Sequence, residues 1–190
     1  TEYQQDDTLT YVVNILNSGN TTMTGVTISD NLGAYTLNTL TLVPMDYVVG
    51  TVRYYVGGVL QPTPTVTAGP PLTISGLSVP AKGNVTVIYQ AKTNDYAPLA
   101  QESSITNTAT INANNIANPI TASATVNAYS EPVLRISKSL TPTTVSENGQ
   151  LTYTFIIQNY GNTAADEAAA LIVSDRFDPI LNPITVAFNG

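Results

Sequence analysis

The sequence predicts an all-β protein built as tandem immunoglobulin-like β-sandwich modules, the first lacking its opening strand and the second cut short. Three observations predict it. Only 10% of the 190 residues are charged while 43% are hydrophobic, and the remainder is rich in Thr, Asn, Ser, Gly and Pro. β-branched residues fit a pleated sheet, and Asn, Gly and Pro fit its turns. Apolar residues alternate with a period of two almost everywhere, and one set of spaced motifs occurs twice.

Taken in order, the alternation begins at Asp7 to Leu16, where Leu9, Tyr11, Val13 and Ile15 share one face. Gly25 to Asp30 follows, with Val26 and Ile28 inward, and then Tyr35 to Val43 and Tyr47 to Val56. Leu72 to Ser75, Asn84 to Lys92, Ser104 to Ala113, Pro119 to Ala128 and Val133 to Leu140 complete the strands. Between them lie turn signals: Asn17-Ser18-Gly19-Asn20, Gly57-Gly58, Gly69-Pro70-Pro71, Lys82-Gly83-Asn84 and Asn114-Asn115. Ala164 to Ala170 is the one stretch with some helical character. Many short strands with regular turns predict a two-sheet sandwich.

The repeat sets the domain count. Leu9-Thr10-Tyr11 and Asn17-Ser18-Gly19-Asn20-Thr21 recur as Leu151-Thr152-Tyr153 and Asn159-Tyr160-Gly161-Asn162-Thr163 at unchanged spacing. Val26 to Asp30 is matched by Leu171 to Asp175 after a short insertion, and Tyr55 to Gly58 is echoed by Ala187 to Gly190. Residues 1–130 therefore read as a first module and 131–190 as the N-terminal part of a second, divided near Ser130-Glu131-Pro132. Val133 to Lys138 has no counterpart ahead of Leu9, and the second copy stops where the first continues. By comparison with the first copy, residues after Pro132 are expected to be stable only when completed by further sequence or by a neighbour.

Composition also narrows the function. The formal charge is −7 with no basic cluster, so nucleic acid and anionic membranes are not expected partners. No run approaches the roughly 20 apolar residues that cross a bilayer, so a soluble chain without membrane insertion is expected. The sequence contains no Cys and no His. That removes disulfides, thiolate nucleophiles, the commonest general base and nearly all zinc sites, so neither enzyme activity nor a cofactor is expected. A Cys-free, Thr- and Asn-rich acidic chain suits an extracellular, cell-surface or wall-associated location.

The repeated motifs resemble the conserved-repeat domain of bacterial surface proteins, a domain of unknown function with an immunoglobulin-like fold. The residues that carry the resemblance are Asp6-Asp7, Leu9 to Tyr11, Asn17 to Thr21, Val26 to Asp30 and Asn107 to Thr110. The resemblance implies tandem modules on large secreted or wall-associated proteins. Similar domains in pilins and adhesins close an isopeptide bond between Lys and Asn with help from an acidic residue. That chemistry needs an uncharged amine in a dry core and a buried carboxylic acid.

Strand parity supplies candidates for those positions. Lys138 shares parity with Leu134, Ile136 and Leu140, Asp175 with Leu171 and Val173, Asp30 with Val26 and Ile28, and Asn107 with Ile105, Ala109 and Ile111. All four are expected to point inward, where unpaired charges are rare. The plainer alternative is that Lys138 snorkels at a sheet edge, each Asp ends its strand by bonding turn amides, and Asn107 fixes a loop. Neither copy holds a full triad: the first has Asp30 and Asn107, the second Lys138 and Asp175.

Two functional classes remain. The first is a structural repeat of a surface stalk or filament, in which Val133 to Leu140 of one subunit completes the first module of the next, head to tail. If the chain ends reflect cloning or proteolysis, that completion does not follow. The second is an adhesin module binding glycan or host protein, with Tyr54 and Tyr55 as candidate ligand-face aromatics and Tyr47 and Tyr89 as further stacking candidates; Tyr is equally a good strand residue, and most of these are expected in core or cross-strand packing. Asp6, Asp7, Asp46 and Asp95 lack the spacing of a calcium loop and read as solvated turn carboxylates. Asn20-Thr21-Thr22 and Asn84-Val85-Thr86 fit the N-glycosylation sequon, which matters only in a glycosylating host.

Overall fold

A computed structural model of the chain describes residues 1–165, 171–177 and 180–188. The chain forms two units, Thr1–Glu131 and Pro132–Gly190. The first holds thirteen strands: β1 (Glu2–Tyr3), β2 (Thr8–Leu16), β3 (Met23–Asp30), β4 (Tyr35–Leu37), β5 (Leu40–Leu42), β6 (Met45–Tyr47), β7 (Arg53–Val56), β8 (Val59–Leu60), β9 (Thr65–Thr67), β10 (Leu72–Val79), β11 (Asn84–Thr93), β12 (Ser104–Asn112) and β13 (Ile120–Ala128). The second holds β14 (Leu134–Thr141) and β15 (Thr152–Asn159).

The strands of the first unit build two large sheets and a small hairpin. One sheet runs β1-β13-β12-β3-β10-β9; the other runs β2-β11-β7-β8, with β6 also paired to β11; β4 and β5 pair with each other. All pairings are antiparallel except β1 with β13. Alternation then decides what lies between the two sheets. Val13, Ile15, Val85, Val87 and Tyr89 of one sheet, and Val26, Ile28, Leu72, Ile74, Ile105 and Ile111 of the other, are all buried in a single core. Such burial stabilises by about 1.5–3 kcal/mol per large side chain. Ile74 has no solvent exposure, so Ile74→Val is expected to lower stability by about 0.5–1.5 kcal/mol, read as a lower denaturant midpoint at unchanged slope.

One border of this sandwich is unusual. β2 pairs with β11 along nine residues and ends the sheet order on its other side. Leu9 and Tyr11, which face inward near that border, are only half-buried. On β13 of the opposite sheet, Ile120, Ala122 and Ala124 pair with Ile111, Ala109 and Asn107. Their β12 partners are buried, yet these three β13 residues are exposed.

Several expectations are corrected. Tyr35 to Val43 is a hairpin rather than one strand, because the chain reverses at Asn38, whose φ is 56°. Tyr47 to Val56 is likewise split into β6 and β7, around a turn with Gly50 at φ 81° and a Thr51 N–H bond to the Val48 carbonyl. β1, β8 and β9 are too short to show a period and were not legible as strands.

In the second unit, β14 and β15 form a two-stranded antiparallel sheet paired from Leu134–Asn159 to Thr141–Thr152. Leu171 to Asp175, expected as a strand, carries none. Of the stretch with helical character, 166–170 lie outside the described residues, and Ala164 and Ala165 are not helical. The echo at 187–190 is described only as far as Phe188, without a strand.

Candidate functional site

The site is the polar cluster inside the first unit's core. Asp30 ends β3 with no solvent exposure, Asn107 lies on the adjacent strand β12, and Tyr89 reaches across from β11 of the other sheet. Parity pointed Asp30 and Asn107 inward; Tyr89, read from sequence only as a stacking candidate, likewise shares its face with apolar neighbours that pack inward. Asn107 Nδ2 donates to Asp30 Oδ2 at 2.9 Å, and the Tyr89 hydroxyl donates to the same oxygen. Asp30 Oδ1 accepts from the Leu32 N–H at 2.9 Å, and Asn107 Oδ1 accepts from the Gly33 N–H at 2.9 Å. Both side chains thus also perform the plainer task of fixing the loop after β3. Among the described residues no buried side-chain polar atom lacks a partner.

Burial governs the electrostatics. Removal from water pushes the Asp30 carboxyl above its ordinary value, against the opposing pull of the bonds from Tyr89, Leu32 and Asn107. Burial and the neighbouring Asp30 raise the Tyr89 phenol strongly and push Tyr11 up to about 12. Tyr11 stacks on Tyr89 with ring centroids 5.6 Å apart, so the cluster extends through two aromatic rings to the β2 border. The result is a dry carboxyl held beside a carboxamide, with hydroxyl and aromatic groups around them.

The second unit contributes the other pair. Lys138 Nζ donates to Asp175 Oδ2 at 2.6 Å and lies 4.5 Å from the Tyr153 ring centroid, with the Phe155 and Phe177 rings at 5.5 and 5.6 Å. Lys138 faces the same side as these rings but is exposed rather than buried, with 40% of its side chain accessible. Among the described residues Asp175 and Phe177 lie against that face and leave it partly open. Asp175 is 22% accessible at its side chain.

The aromatic candidates fare differently. Tyr54 is buried, and its hydroxyl both donates to the Ser78 carbonyl at 2.9 Å and accepts from the Ser78 N–H, so it is a core residue and not a ligand-face one. Tyr55 is half-buried on the opposite face of β7, Tyr47 is half-buried, and Tyr89 belongs to the polar cluster. The turn carboxylates have local partners: Asp6 with Lys92 at 2.7 Å, Asp7 with the Gln4 N–H, Asp46 with Asn94 and Asp95 with Gln5. No group of three metal-ligating side chains occurs among the described residues. No described helix is long and apolar enough to cross a membrane.

What parity did not reveal is the role of Gly33. At φ 75° it turns its N–H onto Asn107, and a Cβ there would lie 2.4 Å from Ile105 Cγ2. The only sequence signal was the pair Leu32-Gly33 after a strand-ending Asp-Asn.

No family model matches the chain, and nothing among the curated proteins does. Solved structures similar to it include the pilus backbone of Streptococcus pneumoniae, at 20% identity and a TM-score of 0.44, covering 60% of this chain and 26% of that one. A family 123 glycoside hydrolase from Clostridium perfringens is similar at 10% identity and a TM-score of 0.42, covering 66% of this chain and 22% of that one. The collagen-binding domain of a Staphylococcus aureus adhesin is similar at 14% identity and a TM-score of 0.39, covering 63% and 87%. This chain spans about a quarter of the first two proteins, at 26% and 22% of their lengths.

Proposed function

We propose that this chain is a structural, non-catalytic repeat of an extracellular stalk or filament, surface- or wall-associated, whose modules join head to tail by strand complementation. Its partners on this reading are copies of itself or neighbouring repeat modules. The observation that carries it is the border of β2, unpaired among the described residues, at the edge of the apolar core, since an unpaired strand edge is a template for another strand. The expected result is ordered polymers in electron micrographs whose length grows with protein concentration. A chain that stays monomeric at every concentration overturns the reading.

Lys138, Asp30 and Asn107 belong to the same reading as the parts of a covalent lock. The uncharged Lys138 amine of one copy attacks Asn107 Cγ of the next, a C–N amide bond forms, and the Asn107 Nδ2 leaves as ammonia. Asp30 Oδ2, against the Asn107 amide nitrogen, takes the proton from the attacking amine and passes it to that leaving nitrogen, while the Gly33 N–H polarises the carbonyl oxygen. The 2.9 Å contact between Asp30 and Asn107 supports it. Intact mass of denatured protein should show one ammonia lost per bond, with a ladder that survives boiling. An unshifted monomer mass removes the lock and leaves non-covalent assembly.

The adhesive alternative, binding glycan or host protein through Tyr54 and Tyr55, loses half of its platform because Tyr54 is buried.

A further inference from the structure

The loop between β14 and β15 carries a chemistry that neither the buried cluster nor the repeated motifs use. Residues 141–150 are exposed throughout. Asn148 lies there at φ 61°, followed by Gly149, whose N–H bonds back to the Ser146 carbonyl at 2.9 Å. Among the described residues Asn148 is the only Asn that precedes a glycine. The turn itself imposes the pair. Asn tolerates the left-handed conformation better than most residues. A Cβ at Gly149 would press on Val145 Cγ2 and lie 2.9 Å from the Ser146 carbonyl oxygen, so the next position is held to glycine.

An Asn–Gly bond is a place where the backbone can attack a side chain. The Gly149 nitrogen, once it has lost its proton to solvent, closes a five-membered ring on Asn148 Cγ. With no Cβ on the attacking residue, the steric barrier that other residues raise is absent. Other asparagines are held out of this reaction. Asn17, followed by the small Ser18, is buried, with Nδ2 donating to the Thr21 carbonyl at 2.8 Å and Oδ1 accepting from the Gly19 N–H at 3.0 Å. Asn159 is held in the same way by Thr163 and Gly161, and Asn107 by Asp30 and Gly33. Asn148 makes no side-chain hydrogen bond among the described residues. Only the exposed turn bond from Gly149 must open.

We propose that Asn148–Gly149 is a site of spontaneous self-modification, at which the Gly149 nitrogen closes a succinimide on Asn148 and water opens it to aspartate and isoaspartate. In the first step the bond from Gly149 N to Asn148 Cγ forms, and Nδ2 takes a proton from solvent and leaves as ammonia. In the second, water adds to one of the two imide carbonyls. Breaking the new bond to Cγ leaves aspartate in a normal backbone, and breaking the bond to the main-chain carbonyl leaves isoaspartate. Isoaspartate inserts an extra backbone carbon into the Ser146–Gly149 turn, and either product adds a negative charge beside Glu147. That turn lies in the loop joining β14 to β15, beyond the last ladder pair, Thr141 with Thr152. The inference is independent of the stalk reading but bears on its test: a succinimide and the covalent lock each lose one ammonia, and only peptide mapping tells them apart.

The test keeps the full-length chain in warm, mildly alkaline buffer and maps its tryptic peptides by mass over time, beside the Asn148→Gln chain and a synthetic peptide of residues 142–151. In the parent, the Ser139–Arg176 peptide should give way to two species altered at Asn148, each heavier by the difference between a carboxyl and an amide, one of them open to isoaspartyl methylation. Conversion should run about fivefold to tenfold slower than in the free peptide, the effect of one exposed turn hydrogen bond that must open first. The Asn148→Gln chain, which would need a six-membered ring, should stay unchanged over the same time. An unchanged Asn148 in a chain whose free peptide reacts overturns the proposal by showing that the turn protects it. An unreactive peptide overturns it on chemical grounds, and equal conversion at the other asparagines overturns the choice of site.

Discussion

Gly33→Ala is expected to lower the stability of the Thr1–Glu131 unit by about 3 kcal/mol or more. An L residue held in the left-handed region costs about 1–2 kcal/mol. The added Cβ at 2.4 Å from Ile105 Cγ2 forces the buried Ile105 aside, an overpacking cost of about 1–3 kcal/mol. Displacing the loop also weakens the Gly33 N–H bond to Asn107 Oδ1, worth about 1 kcal/mol. Gly50→Ala is the control: its φ of 81° carries the same backbone penalty, but nothing lies within 4 Å of the added Cβ. Denaturant titration of both variants should separate them by the packing and hydrogen-bond contributions. Equal losses would show that Ile105 and Asn107 do not constrain Gly33.

The stability of the same unit should rise as the pH is lowered from neutrality toward the ordinary carboxylate value, and Asp30→Asn should abolish that rise. Burial lifts the folded-state pKa of Asp30 above its unfolded value of 3.8. Between those two values the folded chain holds a proton that the unfolded chain has released. Asp30's contribution is therefore fully present below 3.8 and is lost as the pH climbs through the raised folded value. Within that window the slope reaches at most about 1.4 kcal/mol per pH unit. The groups facing Asp30 are the Tyr89 hydroxyl and the Asn107 amide, with the Tyr11 ring behind, and Tyr11 titrates only near 12. Urea midpoints of the parent and Asp30→Asn chains across this range provide the measurement. Parallel pH profiles for the two chains would show that Asp30 takes up no proton on folding.

The two expected effects share one cause, the placement of polar groups inside an apolar sandwich, and the sequence showed only part of it. Asp30 and Asn107 were legible as inward-facing because each lies in step with Val26 and Ile28, or with Ile105, Ala109 and Ile111. Parity says which face a residue takes and nothing about which residue stands opposite in the other sheet. Tyr89 had been read only as a stacking candidate; its partnership with Asp30 joins β11 to β3, and only sheet packing brings those strands face to face. Tyr54 shows the reverse limit: the sequence left it open between a ligand face and core packing, and only the sheet stacking shows its hydroxyl satisfied inside by the Ser78 backbone.

The sequence by itself determined the all-β class, the positions of the long strands and the inward sets of side chains, because a two-residue period over eight or more residues is a local property of the chain. Short strands such as β1, β8 and β9 were beyond it, since two or three residues carry no period. Tertiary structure alone decided that Asp30, Asn107 and Tyr89 meet in one dry cluster, and that Ile120, Ala122 and Ala124 of β13 stay uncovered while Val126 and Ala128 on the same face are buried. Both are matters of which strands lie side by side and face to face, which depends on contacts between residues far apart in the chain and on how two twisted sheets stack.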